Sequence, residues 1–460
     1  MIIPTRYSGK TVAVFGLARS GLAAAEALQK ANARVLVWDD NIACLDSLSG
    51  SEVVVADLCT SDFADIDALV VSPGIPLTHP SPHSVVSRAR AANCEVIGDL
   101  ELFFRAGTES KLVGVTGTNG KSTTTALLAH IIRENGIAVQ VGGNIGRPAL
   151  ELEMLEPDGV YVIEISSFQI DLTPSLGCDI SILLNISADH LDRHGGMEEY
   201  VAIKSRIFDG HEDQRTAIVG VDDPHCLKIY HGLCRHSVAP IPISVGRSLS
   251  DGVYVRGGYL QDGRVENPAK LDLRKISNLR GSHNWQNSAA AYAAARSLGL
   301  EVDSIFRAIS NYKGLPHRLE TVARVNGLEF INDSKATNVV STSSALAACS
   351  VIYWIAGGQP KDEALDPLFS LLGRVQRAYL IGDGVDFFAS ELDGRISVTV
   401  SITLEQAFRD ATRDAIKDNC ESAAILLSPA CASFDQFIDY ESRGELFRSL
   451  AMEFERANNV

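Results

Sequence analysis

The sequence lacks any apolar run long enough to cross a membrane. Its longest run, residues 345–356, spans twelve positions and includes Ser350, whereas a membrane helix needs about 20 predominantly apolar residues. The N-terminal stretch MIIPTRYSGK has neither the basic start nor the apolar core of a secretory signal. We therefore expect a cytoplasmic protein without membrane insertion.

Paired cysteines and an excess of positive charge are missing as well. The nine cysteines include no C-x-x-C pair, so the pattern indicates neither a disulfide framework nor a zinc ribbon. A Cys/His patch at residues 225–236 matches no standard metal-site spacing. The net charge of -16 argues against nucleic-acid binding, which requires Lys and Arg to neutralise phosphates.

The first part of the chain opens with a strand, a glycine turn, an alanine-rich helix and a second strand that ends at Asp39 and Asp40. Gly16, Ala18 and Gly21 occupy the three glycine positions of a dinucleotide-binding fingerprint. A turn that needs small residues only for packing would give the same pattern. Both interpretations stay open from these residues.

The stretch VGVTGTNGKSTTT, which begins at residue 113, has the composition of a phosphate loop but not the usual Walker spacing. That spacing requires a glycine five residues before the Gly-Lys pair, where this chain has Val115. Gly117 and Gly120 still allow backbone amides to converge on phosphate oxygens at the start of a helix. Lys121 supplies positive charge, and the two hydroxyl residues after it can bind Mg²⁺. Nucleotide binding follows.

Acidic and imidazole groups are expected at the same sheet edge as this loop. Glu164 ends the apolar strand VYVIE, and Asp189 and His190 follow the strand in DISILLNIS. Ligands of open α/β sheets gather beyond the carboxyl ends of strands. Glu164 and His190 are therefore predicted to bind Mg²⁺ and to stabilise a transferring phosphoryl group.

Strands and helices alternate through the whole chain, and 460 residues suggest about three domains. We predict an α/β protein with a Rossmann-like N-terminal domain over residues 1–98, a central P-loop-type ATP-binding parallel sheet over 99–313, and a Rossmann-like C-terminal domain over 314–460. Residues 237–278, rich in glycine, serine and short alternating runs, are predicted to form an antiparallel insertion without chemistry.

Several motifs together resemble the Mur ligase family, in order and over nearly the whole chain. They are GVTGTNGKSTTT, EISSFQ, NISADHLDRHG, GSHNWQN, LPHRLE, INDSKATN and LSPACASFDQF. The stretches SPGIP and GGNIG favour the D-glutamate-adding branch of that family. The short phosphate loop is the normal form in this family. Val115 therefore indicates a different class of phosphate loop and not a nucleotide site that has lost its function.

The resemblance implies an ATP-dependent amide ligase of peptidoglycan precursor synthesis and cell-wall biogenesis, with ATP and Mg²⁺ as cofactors. It implies UDP-N-acetylmuramoyl-L-alanine and D-glutamate as substrates, an acyl-phosphate intermediate and a monomer. By pattern alone Lys204 is expected to be a solvated helix residue; the resemblance instead makes it a carbamylated lysine that positions magnesium.

The site residues that the resemblance implies fall into five sets. The catalytic set is Lys121, Glu164, His190, Lys204 and Lys335. The ATP set is Gly117, Thr118, Asn119, Gly120, Lys121, Ser122, Thr123, Asn284, Arg318 and Asp333. The UDP-substrate set is Ala18, Arg19, Ser20, Asp39, Asp40, Asn41, Ser72, Asn144, Ser166 and Gln169. The D-glutamate set is Lys335, Thr337, Lys361, Ser433, Phe434 and Tyr440. The metal set is Ser122, Thr123, Glu164, His190 and carbamylated Lys204.

Other functions remain to be distinguished from this one. A nicotinamide-dependent oxidoreductase would use the first glycine turn and leave Lys121 without a role. A non-catalytic nucleotide-binding regulator would need neither Lys335 nor Glu164. Within the ligases, another Mur ligase or a folylpolyglutamate synthase is the nearest alternative.

Overall fold

The computed structural model describes residues 1–48, 52–210, 215–235, 239–360, 364–420 and 422–458. The chain forms two compact units, one of residues 1–271 with 286–311 and one of residues 272–285 with 312–460. The described residues form three sheets, of five, nine and six strands. The prediction of a three-part α/β fold dominated by parallel strands is confirmed, and the exact domain boundaries stay a prediction.

The first sheet is parallel and has the order β3-β2-β1-β4-β5. Val12 and Val14 pack on one face of it and Ala13 and Phe15 on the other, as the alternation of a strand requires. Its elements are β1 (Thr11–Phe15), α1 (Arg19–Lys30), β2 (Arg34–Trp38), β3 (Val54–Val55), β4 (Ala68–Val71), α2 (Ser84–Ala91), β5 (Glu95–Ile97) and α3 (Asp99–Ala106).

The central sheet carries the phosphate loop. Its elements are β6 (Lys111–Thr116), α4 (Lys121–Glu134), β7 (Val139–Gly143), β8 (Val160–Glu164), α5 (Ser167–Asp171), β9 (Ile180–Leu183), α6 (Leu191–His194), α7 (Met197–Ser205), β10 (Thr216–Gly220), α8 (Pro224–Arg235), β11 (Ile241–Ser244), β12 (Val253–Arg256), β13 (Tyr259–Asp262), β14 (Leu271–Asp272), α9 (Ser282–Ser297) and α10 (Val302–Asn311). The strand order is β14-β13-β12-β11-β10-β9-β6-β8-β7. The strand β6 lies between β9 and β8, so the phosphate loop leaves the interior of the sheet.

The insertion predicted over residues 237–278 differs from expectation. Its first two residues lie outside the described ranges. Beyond them, β11 pairs in parallel with β10, and β12 pairs in parallel with β11. Only β12 and β13 form an antiparallel pair among the pairings described there. The prediction of an antiparallel insertion is therefore wrong for its first strands, which extend the parallel sheet.

The third sheet forms the core of the second unit. Its elements are β15 (Glu320–Val325), β16 (Leu328–Asn332), α11 (Val339–Ala348), β17 (Ile352–Gly357), α12 (Asp366–Phe369), β18 (Val375–Ile381), α13 (Val385–Leu392), β19 (Val398–Ile402), α14 (Leu404–Lys417), β20 (Ala423–Leu427) and α15 (Tyr440–Asn458). The order is β15-β16-β20-β17-β18-β19, and only the pairing of β15 with β16 is antiparallel among those described. Trp354 and Tyr353 pack on opposite faces, so apolar clusters cover the sheet on both sides.

Across the described ranges, none of the helices combines the length and the apolar character that a membrane span requires.

Candidate active site

The phosphate loop connects β6 to α4 as the sequence predicts. Gly120 caps α4 in the left-handed region with φ 85°, and Gly117 has φ 154°. A Cβ atom at position 120 would lie 2.2 Å from Oδ1 of Asn287 and 3.2 Å from a methyl carbon of Leu184. Only glycine fits this position, because both its backbone angle and the space beside it exclude a side chain.

Asn185, which follows β9, fixes the shape of the loop. Its side-chain oxygen accepts from the Asn119 amide at 2.9 Å, and its backbone oxygen accepts from the Thr118 amide at 2.8 Å. Its amide nitrogen donates to the Asn119 carbonyl at 3.2 Å and to Oε1 of Gln286 at 2.8 Å. The sequence motifs contain Asn185 and Gln286, but their spacing alone gave no reason to assign them this role.

Two lysines meet at one carbonyl of the loop. Nζ of Lys121 donates to the carbonyls of Gly117 and Thr118 at 2.9 and 2.8 Å, and Nζ of Lys204 donates to the same Gly117 carbonyl at 3.0 Å. The side chain of Lys204 is only 1% exposed. The expectation of a solvated Lys204 is therefore wrong, because α7 turns this side chain inward beneath the loop.

Burial lowers the pKa of Lys204 well below its ordinary value, and the positive charge of Lys121 lowers this pKa further. The ring of Tyr200 lies 4.9 Å from the Lys204 nitrogen. The Tyr200 hydroxyl is 3.1 Å from Oγ1 of Thr118. Burial thus shifts the Lys204 amine toward its neutral form beneath the phosphate loop.

Glu164 ends β8 next to this loop. Its side chain is 2% exposed, and its Oε1 accepts a hydrogen bond from Nδ2 of Asn144 at 2.7 Å. Its Oε2 is buried without a hydrogen-bond partner. A buried carboxylate oxygen without a donor is costly unless a cation or a ligand satisfies it, so this oxygen fits a metal ligand.

His190 lies at the start of α6 in the left-handed region, with φ 53°. Its Nε2 atom is 3.5 Å from Oδ2 of Asp189, and its ring lies 5.1 Å from that of Phe168. The imidazole is exposed.

The other central residues predicted to bind ligands lie at helix starts. Ser122 is 4% exposed in the first turn of α4, and Thr123 follows it, partly buried. Ser166 and Gln169 form a capping box at α5, in which each side chain satisfies a backbone amide of the other residue. Gln169 is itself buried. In the described part of the chain no group of three or more His, Cys, Asp or Glu side chains could hold a metal ion, so the predicted set would depend on hydroxyl and lysine-derived ligands.

The first sheet presents an open helix start. A Cβ atom at Gly21 would lie 1.8 Å from the Gly16 carbonyl, so this glycine is required for close packing of α1 on the turn. The Ser72 hydroxyl donates to that same carbonyl at 2.7 Å. Ala18 caps α1 without a side-chain hydrogen bond, and both it and Arg19 are exposed. The backbone amides of the first turn of α1, where Ser20 lies partly buried, thus face an accessible surface.

The acidic pair after β2 has two different environments. Oδ2 of Asp39 accepts from the Leu17 amide at 2.6 Å and Oδ1 accepts from the Asn41 amide at 2.8 Å, so this carboxylate shapes the glycine turn. Oδ2 of Asp40 lies 3.0 Å from Nε2 of His83. Asp39 therefore lies at the turn that precedes the start of α1, whereas Asp40 contacts His83.

The second unit gathers most of the predicted D-glutamate residues. Nζ of Lys335 donates to the Tyr440 hydroxyl at 2.7 Å. Ser433 is buried and Phe434 is 70% exposed, both on the segment that precedes α15. The Thr337 amide donates to the Lys335 carbonyl at 2.9 Å. Lys361 lies outside the described residues.

The three remaining ATP residues also lie in the second unit. Asp333 accepts from the Ser428 hydroxyl at 2.9 Å and from the Leu319 amide at 3.0 Å. Burial raises the pKa of the Asp333 carboxyl to about 7, while Arg318 opposes that rise. Asn284 is buried and donates to the Arg280 carbonyl at 2.9 Å.

Sequence reasoning missed Arg443 as a support of this site. The residue is 1% exposed, and its guanidinium donates to the carbonyls of Ser334, Cys431 and Ala432 at 2.9, 3.1 and 3.2 Å. It therefore ties the segment that carries Lys335 to the segment that leads to Ser433. An arginine in a helical pattern gives no signal of such burial, because most are solvated.

Two family models match this chain. The N-terminal domain of MurD-like Mur ligases matches residues 10–98, and the Mur ligase middle domain matches residues 115–295. The UDP-N-acetylmuramoylalanine--D-glutamate ligase of Caulobacter sp. (strain K31) is 47% identical over 457 residues and 97% of each chain. The ligase of that name from Paramagnetospirillum magneticum is 45% identical over 456 residues and 99% of each chain.

Solved structures give the same fold. The MurF ligase from Thermotoga maritima in complex with ADP has a TM-score of 0.58 at 15% identity, over 99% of this chain and 98% of its own. The UDP-N-acetylmuramate-alanine ligase MurC from Thermotoga maritima has a TM-score of 0.57 at 17% identity, over 97% of this chain and 99% of its own. At these identities the likeness concerns the fold alone.

Proposed function

Because the chain belongs to the Mur ligase family, we propose that it uses ATP to join D-glutamate to UDP-N-acetylmuramoyl-L-alanine, in peptidoglycan precursor synthesis. One observation carries the chemistry: Lys121 and Lys204 meet at the Gly117 carbonyl of the phosphate loop. The Glu164 carboxylate, with one buried oxygen unpaired, raises the pKa of Lys204 against the lowering effect of burial, so the two side chains lie close enough to interact. This site combines cationic groups for phosphate with a carboxylate for a metal.

The reaction proceeds in two displacements. A carboxylate oxygen of the alanyl substrate bonds to the γ-phosphorus of ATP while the bond from that phosphorus to ADP breaks. The amine of D-glutamate then bonds to the acyl carbon and loses a proton, and phosphate leaves with the former carboxylate oxygen. Phosphorylation is needed because a free carboxylate is a poor electrophile.

Lys121 and the loop amides of residues 117–120 would hold the phosphates of ATP at the start of α4, where the helix dipole also favours negative charge. Lys121 already lies over the loop carbonyls, so it needs only to turn from them toward an incoming phosphate. Asn284, Arg318 and Asp333 are the other residues that we propose for binding the nucleotide.

Magnesium fits the central residues. Ser122, Thr123, Glu164, His190 and Lys204 would hold it, and the unpaired Oε2 of Glu164 is the atom that most needs a cation. Bound there, Mg²⁺ would neutralise charge on the transferring phosphoryl group. Asn144 keeps Glu164 oriented through its hydrogen bond at 2.7 Å.

Lys204 would act as a carbamate. Its lowered pKa favours the neutral amine, which attacks CO₂ to form a carbon–nitrogen bond and releases one proton. The product is an anion, which places a negative charge beside the ammonium group of Lys121 at the Gly117 carbonyl. ¹³C-bicarbonate should therefore give a carbamate carbon resonance in the protein that disappears in Lys204→Ala and persists in the exposed control Lys228→Ala. A spectrum without that resonance would remove the carbamate from the proposal.

The substrates would occupy three places. The UDP group would lie at the open start of α1 near Ala18, Arg19 and Ser20, with the acidic pair after β2 beside it. The muramoyl arm would extend along Ser72, Asn144, Ser166 and Gln169. D-Glutamate, which has two carboxylates, would use Lys335 and the hydroxyls of Thr337, Ser433 and Tyr440, with Lys361 and Phe434 nearby.

Oxygen transfer tests the acyl-phosphate route. The alanyl carboxylate is labelled with ¹⁸O, the reaction is run with ATP and D-glutamate, and the released phosphate is analysed by mass spectrometry. The proposed route moves one labelled oxygen into phosphate for each amide bond formed. Amide formation with unlabelled phosphate would contradict it.

A further inference from the structure

Arg193 links the first sheet to the helix that begins after His190. Its Nη2 donates to the carbonyls of Pro73 and Ile75 at 3.3 and 2.8 Å, and its Nη1 donates to the carbonyl of His79 at 3.2 Å. These carbonyls belong to residues 72–79, which we call the β4 exit segment because it follows β4 directly. One side chain therefore fixes three points of this segment.

The same helix is fixed on its other side by α5. The guanidinium of Arg193 lies 5.0 Å from the ring centre of Phe168, and the rings of His190 and His194 lie 5.1 and 5.2 Å from that ring. Nε2 of His194 is 2.9 Å from Oγ of Ser167. Helix α6 is thus held between the β4 exit segment and α5, with Phe168 at the centre.

The approach of the β4 exit segment to α6 is close enough to require a glycine. Gly195 has φ 86°, and a Cβ atom there would lie 2.5 Å from the His79 ring. The Gly195 backbone is therefore in close contact with the His79 side chain. It supports the link that Arg193 makes from the preceding turn.

We propose that Arg193 is a positioning residue for the UDP substrate: it holds the β4 exit segment, with Ser72, at a fixed distance from the helix that begins after His190. This inference rests on the proposed function, because it assigns the muramoyl arm to Ser72 and the metal to His190. A lysine cannot replace Arg193, since one ammonium lacks the planar fork that reaches three carbonyls together.

Steady-state kinetics of Arg193→Gln and Arg193→Lys test the proposal, with Arg88→Gln as the matched control. Arg88 also donates to two loop carbonyls, those of Thr60 and Ser61 at 3.2 and 2.7 Å. We expect both Arg193 variants to raise KM for UDP-N-acetylmuramoyl-L-alanine by about tenfold or more, the cost of losing a charged hydrogen bond. KM for ATP should stay unchanged, because Asn185 shapes the phosphate loop independently. The Arg88 variant should match the wild type.

Amide hydrogen exchange of the free proteins provides a readout that needs no turnover. The Ile75 amide, which donates to the Ser72 carbonyl at 3.0 Å, should exchange faster in Arg193→Gln than in the wild type and in Arg88→Gln. Wild-type KM in Arg193→Lys, or a lower melting temperature of Arg193→Gln with unchanged KM and exchange, would overturn the positioning role. A wild-type enzyme without D-glutamate-dependent phosphate release would instead overturn the proposed function, while the exchange comparison would still decide whether Arg193 holds the segment.

Discussion

Two buried carboxylates of this molecule, Glu164 and Asp99, differ sharply in their hydrogen bonds. Glu164 has one oxygen held by Asn144 and one without a partner. Asp99, at the start of α3, is 2% exposed and has no hydrogen bond to either oxygen. The first environment suits a metal ligand, and the second favours a protonated acid.

Asn144→Ala tests the orientation of Glu164. We expect the Mg²⁺ concentration for half-maximal activity to rise about tenfold, because residues that orient a metal ligand typically have effects of that size. Asn135→Ala is the matched control, since its amide donates only to the Ile131 carbonyl at the end of α4 among the bonds described. An unchanged Mg²⁺ requirement in Asn144→Ala would separate this amide from the metal site.

Asp99→Asn tests the cost of a buried acid. Burial raises the pKa of Asp99 to about 6, so the folded protein retains a proton that the unfolded chain loses from about pH 4 upward. The stability that this proton provides is present at low pH and is lost as the pH rises through about 6. Relative to the wild type, the variant should therefore gain about 3 kcal/mol between pH 4 and pH 8.

Denaturant titrations at both pH values measure this difference, with the exposed Asp158→Asn as control. If the free energies of unfolding of Asp99→Asn and the wild type differ by the same amount at pH 4 and at pH 8, Asp99 does not titrate as proposed.

At the scale of elements, the junction of β6, the phosphate loop and α4 was predictable. The sequence has a buried strand, then two glycines, then a lysine at the start of a helix with an apolar face. This order strongly favours a strand, loop and helix. The strands β7, β10, β15 and β19 were not predicted. Most residues of β7, β15 and β19 are not buried, so these strands lack a continuous apolar run. The prediction of a solvated Lys204 was wrong because the sequence of α7 shows no clear apolar stripe. Among its described residues, this helix buries only Tyr200 and Lys204.

Gly120→Ala tests the loop, and Gly136→Ala is its matched control at the other end of α4. Both positions have positive φ, 85° and 76°, so both variants carry a backbone cost of about 1–2 kcal/mol. Only at Gly120 would the new methyl group collide, with Asn287 at 2.2 Å, whereas Gly136 has open space. ATP affinity measured by calorimetry should fall by about tenfold or more in the first variant. Equal affinities in the two would contradict the loop assignment.

At the scale of the whole molecule, each of the three α/β sheets carries a different group of the residues that the proposed reaction needs. The first sheet presents an open helix start and the central sheet presents the phosphate loop. The second unit contains Lys335, Ser433 and Tyr440. The alternation of strands and helices predicted this architecture, whereas the long-range contacts of Arg193 and Arg443 depend on tertiary packing that no local pattern encodes. The net charge of -16 makes local cations such as Lys121 necessary for anionic substrates.

The most direct test is phosphate release from ATP with UDP-N-acetylmuramoyl-L-alanine and one amino acid at a time: D-glutamate, L-glutamate, meso-diaminopimelate or L-lysine. We predict release with D-glutamate alone, accompanied by one amide bond for each phosphate. Release with a different amino acid would contradict the proposed substrate while preserving the ATP chemistry, and no release with any of the four would contradict the ligase itself.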